Sequence, residues 1–279
     1  MKLIVESGAT KADWCLLGAG NVVKRFKTSG MNFSTMSQDS FREALISAVS
    51  QIDTSAVTEI YLYAAGLIEG SAASFCANGV FSSAFPQAHV ECSSDMLAAA
   101  RAVCGRSEGI AAILGTGSNS CFYDGSRIRR NVRSGGFILG DEGGGACLGK
   151  LFLSDYIKGL VPEPLSSEFG SAFDVDYMTV VDKVYRQPAP AAYLGSFAPW
   201  ILEHCDTNAY VKELLLRSLS DFFDRSILRY DRPDVPVGFA GGFAAACEPY
   251  LREVAASKGV TISKITASPM DELILYHSL

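Results

Sequence analysis

Between Ile110 and Asp124 the chain reads Ile-Ala-Ala-Ile-Leu-Gly-Thr-Gly-Ser-Asn-Ser-Cys-Phe-Tyr-Asp, two apolar runs around a turn of small, hydroxyl-bearing residues. The first run, Ile110 to Leu114, reads as a buried strand and stops at Gly115-Thr116-Gly117. Apolar character resumes at Cys121-Phe122-Tyr123 before Asp124-Gly125, so two strands are expected to meet at a tight turn. Glycine lets the backbone approach a ligand closely and take positive φ. Successive free N–H groups in such a turn form a concavity that binds anions. On this stretch alone, a phosphate-gripping hairpin and an ordinary Gly-rich turn both stand.

The N-terminus holds a counterpart. Lys2 to Val5 is a short apolar strand, Glu6-Ser-Gly-Ala-Thr-Lys-Ala-Asp13 a polar turn, Trp14 to Leu17 a second strand, and Asn21 to Thr28 holds a third. Three short strands separated by turns read as an antiparallel meander. Its turn at Ser7-Gly8-Ala9-Thr10 is of the same kind as the central one, and Ile128 to Val132 supplies a third strand to the second meander.

Strands alternating with helices follow each meander. A helix is expected from Ser40, where Phe41, Ala44, Leu45, Ala48, Val49 and Ile52 recur at the spacing of one buried face. Ser40 with Glu43 fits a capping box. Glu59 to Ala65 is a strand ending at Gly66, residues 71 to 83 read as helix and loop, and His89 to Cys92 is a short strand. Ser93-Ser94-Asp95 then opens a run of strong helix formers, Met96 to Cys104. Asp95 is either the helix cap or, if Ser93 or Ser94 caps, a carboxylate free for chemistry. In the second half, glycines enclose Asp141 and Glu142 between Gly135 and Gly145, and a helix is expected from Ala146 to Lys158. Prolines punctuate short helical segments from 159 to 205, and a long amphipathic helix runs from Tyr210 towards Tyr230. The strand Asp234 to Phe243 breaks at Gly241-Gly242, a helix runs through Tyr250 to Lys258, and the chain closes with a strand near Ile262 to Thr266 and a helix from Asp271 to His277. The simplest architecture is an α/β fold in which a mixed sheet flanked by helices is built twice. The cleft between two such halves is the natural ligand site.

Composition narrows the function. With 279 residues, nearly half of them apolar, the chain can bury a substantial core. A formal charge of −6 argues against nucleic acid or an anionic membrane as partner. No apolar stretch is long enough to span a bilayer, and Glu6 interrupts the N-terminal apolar run as no signal peptide would, so a cytoplasmic protein is expected. The eight cysteines form no C-x-x-C pair and read as reduced core residues. Gly144 to Lys150 nearly matches a P-loop, but Leu151 replaces the hydroxyl residue and no strand precedes it. Gly105-Arg-Ser-Glu-Gly109 matches a nucleophile elbow in the wrong setting, between helix and strand. His89, His204 and His277 have no ligand spacing.

As an ordered set, Val5-Glu-Ser-Gly-Ala-Thr-Lys-Ala-Asp-Trp14, Leu114-Gly-Thr-Gly-Ser-Asn119 and Gly238-Phe-Ala-Gly-Gly242 resemble the two phosphate motifs and the adenosine motif of the sugar kinase, actin and heat-shock ATPase superfamily. Ser94-Asp-Met-Leu-Ala-Ala-Ala-Arg101 and Gly136-Phe-Ile-Leu-Gly-Asp-Glu-Gly143 resemble its N-acetylglucosamine kinase branch, which shares a sequence family with the ATPase activators of benzoyl-CoA reductase and hydroxyacyl-CoA dehydratase. The resemblance runs through Ser268-Pro-Met-Asp-Glu-Leu273, nearly the whole chain. It implies two ribonuclease H-like domains, an actin-like ATPase fold with a cleft between them. Residues 1–107 would form the first, completed by a C-terminal helix at 268–279, and residues 108–267 the second, with a helical insertion at about 159–230.

The resemblance also implies roles. Gly8, Ala9, Thr10 and Lys11 would form the first phosphate turn and Gly115, Thr116 and Gly117 the second, with Gly241 and Gly242 under the adenosine of ATP. Asp95 would be the general base, and Asn32, Asn119 and Asp141 would hold the sugar. Glu6 stands where the family usually has Asp, a carboxylate acting near Mg²⁺ through water; the extra methylene moves it by about a bond length in a site sensitive to ~1 Å. The expected activity is ATP-dependent phosphorylation of an amino sugar, N-acetylglucosamine at its 6-hydroxyl, by a homodimer. The alternatives are an ATP-driven activator of a partner dehydratase or reductase, which needs a cysteine-held cluster, and a non-catalytic sugar sensor.

Overall fold

The computed structural model describes residues 1–8, 11–31, 36–68 and 70–278. The chain divides into two compact units, residues 1–107 with 125–127 and 268–279, and residues 108–124 with 128–267.

The first unit opens with β1 (Lys2–Ser7), β2 (Lys11–Gly18) and β3 (Asn21–Ser29), then α1 (Gln38–Val49), β4 (Glu59–Ala64), α2 (Ala72–Ala84), β5 (His89–Ser94) and α3 (Asp95–Cys104). Its sheet order is β3-β2-β1-β4-β5, antiparallel through the meander and parallel from β1 to β4 to β5. Central β1 is covered on both faces, which is why its sequence is a continuous apolar run rather than an alternating one. Leu3 and Val5 pack with Trp14, Phe41 and Phe81 on one side, and Ile4 packs with Cys15, Leu17, Tyr63 and Ala98 on the other. Edge strand β3 is mostly exposed and carries Lys24, Arg25 and Lys27, charges that discourage edge-to-edge pairing.

Two local expectations change here. Ser37, not Ser40, caps α1: its Oγ accepts from the Ser40 N–H at 3.2 Å. Residues 71–83, read as helix and loop, lie almost wholly in the single helix α2 with Ser71 at its cap. Small residues on α2 blur its amphipathic pattern, but Phe81 stacks on Trp14 at a ring separation of 6.2 Å. Burying one such ring stabilises by about 1.5–3 kcal/mol, enough to fix a segment whose local propensity is indecisive.

The second unit repeats the plan. It comprises β6 (Glu108–Leu114), β7 (Ser118–Asp124), β8 (Ile128–Val132), a single turn α4 (Gly136–Leu139), α5 (Gly145–Ile157), then α6 (Leu165–Ala172), α7 (Tyr177–Tyr185), α8 (Pro190–Gly195), α9 (Ala198–Glu203) and α10 (Ala209–Arg225). β9 (Val237–Ala240), α11 (Gly242–Ala246), α12 (Glu248–Ser257) and β10 (Ile262–Thr266) complete it. The sheet order β10-β9-β6-β7-β8 matches that of the first unit strand for strand, with β6, β9 and β10 parallel. The core gathers Leu114, Phe152, Phe169, Phe197, Leu215, Phe222 and Phe239. The chain then returns to the first unit as α13 (Met270–Ser278), tied down by Arg25 Nη1 to Asp271 Oδ1 at 2.5 Å.

Gly105 caps the end of α3 and Gly144 precedes α5, so neither rejected motif lies on a strand-to-helix turn. All eight cysteines are free thiols. Among the described residues, no helix is long and apolar enough to cross a membrane.

Candidate active site

In the first unit the candidate residues gather where β1 and β5 end. Gly8 N–H donates to the Lys11 carbonyl at 3.0 Å, closing the turn from β1 to β2. Ala9, Thr10 and Asn32 lie outside the described residues. Ser7, which the sequence left without a role, is fully buried, and its Oγ accepts the Met31 N–H at 2.6 Å. A hydroxyl ending a strand beside a glycine was the signal for it.

Glu6 projects from the opposite face of β1. Its register partners are Asp13 on β2 and Tyr63 on β4. Burial, then the charges of Asp95 and Asp13, push its carboxyl from the usual 4.5 to about 7, while Lys11 pulls the other way. Glu6 and Asp95 are therefore within electrostatic reach of each other. Asp13 is itself compensated by a two-point bond to Arg25, with Nε to Oδ1 at 3.1 Å and Nη2 to Oδ2 at 2.7 Å.

Asp95 is the first residue of α3 and does not cap it. The Ser94 Oγ accepts the Leu97 N–H at 3.2 Å, and the Asp95 carboxyl accepts from the adjacent Met96 N–H at 2.9 Å. Burial raises the Asp95 carboxyl above the usual carboxylate range, opposed by the Met96 and Asp95 N–H groups.

The sign for Glu6 runs against stability. Its native pKa lies above its unfolded one, so the native state holds more protons between pH 4.5 and about 7, and stability falls as pH rises through that window. The full cost, at most about 3 kcal/mol, stands above pH 7. In Mg²⁺-free buffer, Glu6→Gln should therefore be more stable than the parent at pH 8 and nearly equal to it at pH 4. Urea midpoints at the two pH values check this; the same pH dependence in both proteins would contradict the raised pKa of Glu6.

In the second unit the turn at 115–117 is held from behind. The Gly115 N–H donates to the Gly117 carbonyl at 2.9 Å. The Gly115 and Thr116 carbonyls accept the Gly145 and Ala146 N–H groups of α5, each at 2.8 Å. With its carbonyls spent on α5, the turn leaves the Thr116 and Gly117 N–H groups without a protein acceptor among the described residues. Successive N–H groups left free in a turn can bind an oxyanion.

Asp141, in the left-handed region at φ 57, accepts the Ser118 N–H at 3.3 Å. A Cβ on Gly117 would lie 2.7 Å from Asp141 Oδ2, and one on Gly144 would lie 2.8 Å from the Gly117 carbonyl carbon. The glycine-rich stretch at 140–145 is thus the seat of the turn, a role that spacing alone did not reveal. Asn119 spends its Oδ1 on the Ser120 N–H and on Asn131 Nδ2, both at 2.9 Å.

Gly241, at φ 126, follows β9 and presses on the end of β6; a Cβ there would overlap the Leu114 carbonyl oxygen. A Cβ on Gly242 or on Gly115 would meet nothing within 4 Å among the described residues. Within this unit the fold therefore brings Gly115, Thr116, Gly117, Asp141, Gly241 and Gly242 to one end of the sheet. Within the first unit it brings Glu6, Gly8, Lys11 and Asp95 to the matching end.

Oxygen donors dominate the carboxylate set, which suits Mg²⁺, an ion usually held through one or two carboxylates plus phosphate and water. Among the described residues no group of three or more His, Cys, Asp or Glu could hold a metal, so most of the ion's shell would have to come from ligand and solvent.

Two mixed five-stranded sheets of this order, each opening on a strand–turn–strand with a glycine-bearing turn, are those of the actin-like ATPase fold. The chain is similar over 100% of its length to the crystal structure of a candidate N-acetylglucosamine kinase from Porphyromonas gingivalis, at 41% identity, a TM-score of 0.93 and 99% coverage of that chain. A candidate N-acetylglucosamine kinase from Chromobacterium violaceum matches at 18% identity and a TM-score of 0.79, over 99% of this chain and 98% of that one. A ROK-family glucokinase from Streptomyces griseus, in complex with glucose and AMPPNP, matches at 14% identity and a TM-score of 0.58, over 98% and 97%. These two share the fold alone. No protein-family model matches the chain, and no curated protein does. At 41% identity over full length, the chain belongs to the N-acetylglucosamine kinase-like family of the sugar kinase, actin and heat-shock ATPase superfamily.

Proposed function

We propose that the protein transfers the γ-phosphoryl group of ATP to an amino sugar, N-acetylglucosamine at its 6-hydroxyl. The observation that carries this reading is the state of Asp95: half-buried, spared from capping by Ser94, and within electrostatic reach of a second acid. A carboxylate with that freedom and a raised pKa is suited to accept a proton near neutral pH. The P. gingivalis relative, a candidate N-acetylglucosamine kinase, supports the choice of sugar.

Asp95 takes the proton of the sugar hydroxyl as that oxygen bonds to the γ-phosphorus, and the bond from phosphorus to the bridging oxygen breaks to release ADP. Phosphoryl transfer asks mainly for positioning and charge stabilisation. The Thr116 and Gly117 N–H groups supply it to phosphate oxygens, joined by the Gly8–Lys11 turn. Gly242 leaves open room for the adenosine. Glu6, through water, would hold Mg²⁺, which neutralises phosphate charge when bound. Asn32, Asn119 and Asp141 bind the sugar in this reading; Asp141 also positions the second turn through Ser118. The activator reading gives Asp95 no task.

A coupled ATP-consumption screen over N-acetylglucosamine, N-acetylmannosamine, glucosamine and glucose tests the proposal. N-acetylglucosamine should accelerate turnover most. If no sugar accelerates ATP consumption, the kinase reading fails.

A further inference from the structure

We propose that the first unit carries a second site, for a small oxyanion of the phosphate-monoester class, in a cavity beneath the C-terminal helix. The site stands independently of the kinase reading.

Its place follows from strand register. β1, β4 and β5 run parallel, with Lys2, Glu59 and His89 level at one end and Ser7, Ala64 and Ser94 level at the other. Asp95 follows Ser94, so Lys2 lies a strand's length away, roughly 16 Å at ~3.3 Å per residue. α3 runs back over the sheet from Asp95 and delivers Arg101 to the Lys2 end, with Arg106 just beyond its last turn.

There a cavity of about 230 Å³ is lined by Lys2, Glu91, Arg101, Arg106 and the rings of Tyr61 and Tyr276, with His277 beside Lys2. That volume is below the ~300 Å³ at which drug-sized ligand pockets begin, so it suits a small anion rather than a nucleotide. Three cations line the cavity with one carboxylate, Glu91, and a second, Glu59, lies 3.9 Å from Lys2, so the cluster is still net positive in a chain whose formal charge is −6. Such a concentration of one sign focuses the field on counter-ions.

The bonds already present leave donors to spare. Arg101 Nη1 donates to Glu91 Oε1 at 2.8 Å and to the Tyr63 hydroxyl, while its buried Nε–H has no partner among the described residues. Arg106 stacks on Tyr276 at 4.6 Å and makes one long bond, 3.4 Å, to the Tyr276 carbonyl. Lys2 donates to the His277 carbonyl at 2.9 Å and lies 3.9 Å from Glu59. A guanidinium offers five N–H donors and an ammonium three, so each cation has capacity left. His277 reports the same field: burial first, then Arg101, Lys2 and Arg106, push its imidazole down to about 3.

The test uses the full chain without ATP or sugar, with inorganic phosphate, sulfate and glucose 6-phosphate as separate probes in thermal-shift and calorimetric titrations. A saturable rise in melting temperature of a few degrees is expected. It should disappear in Lys2→Gln/Arg106→Gln. A shift of unchanged size in that double variant would move the anion elsewhere, onto a phosphate turn, and overturn the proposal. So would the absence of any saturable shift in the parent. A stronger response to glucose 6-phosphate than to phosphate identifies a phosphorylated metabolite as the source; an equal response identifies free phosphate. Should the double variant prove unstable, Arg106→Glu, at an exposed position, must by itself weaken phosphate affinity at least about tenfold.

Discussion

Asp95→Asn should retain the fold and cut sugar-dependent ATP turnover by about 10²-fold or more, the contribution of a well-placed general base. The helix start does not depend on the charge, because Ser94 supplies the cap through the Leu97 N–H. Asparagine keeps an oxygen for the Met96 N–H, so the local geometry survives. Burial already penalises the ionised carboxyl, so the variant should be no less stable than the parent above neutral pH. Two further readouts separate a base from a structural residue. The acidic limb of the parent's pH–rate profile should be altered or lost in the variant. Glu6 should also titrate lower, since the Asp95 charge is the largest single charge raising it. Turnover within a factor of a few of the parent would remove Asp95 from the chemistry.

The second large effect separates two adjacent glycines. Gly241→Ala should destabilise by about 2–5 kcal/mol, because the new methyl overlaps the Leu114 carbonyl oxygen and φ 126 is strained for any L side chain. Gly242→Ala should leave stability within about 1 kcal/mol of the parent, since its Cβ meets nothing within 4 Å among the described residues and it opens a helix. In the proposed function that open space is filled by adenosine, so Gly242→Ala should weaken ATP binding while the protein melts normally. Chemical denaturation and calorimetric titration with ATP give the two readouts. Parent-like ATP affinity in Gly242→Ala would place the nucleotide elsewhere.

The two glycines also show how far the sequence could be read. Gly241-Gly242 marked a strand break, and the resemblance gave both the same task. Only the structure divides them: one is demanded by the protein's own backbone, the other is left open. The turn at 115–117 was legible from its composition as a tight Gly-rich turn between two strands, with anion binding one of two readings. Its seat was not, because Gly143, Gly144 and Gly145 lie about thirty residues on, and no spacing rule links a turn to the helix whose N–H groups consume its carbonyls. Similarly, Ser37 rather than Ser40 starts α1 because a cap depends on backbone angles, and both serines satisfy the residue preference.

The sequence by itself determined the duplicated plan. Central strands buried on both faces must be continuous apolar runs, and strands that turn on Gly and Thr leave a readable pause. Through an ordered set of motifs that resembles a known family, it also pointed to Asp95, Glu6 and the two glycine-bearing turns as candidate site residues. The tertiary structure alone decided the electrostatics. Asp13, Glu6 and Asp95 interact because β2, β1 and α3 lie side by side, and Glu6 titrates near neutral because that packing excludes water. The cations Lys2, Arg101 and Arg106 converge for the same reason: parallel strands and a returning helix bring together residues about a hundred positions apart. Charge interactions depend on distance through space, and sequence order fixes that distance only after the sheet has formed.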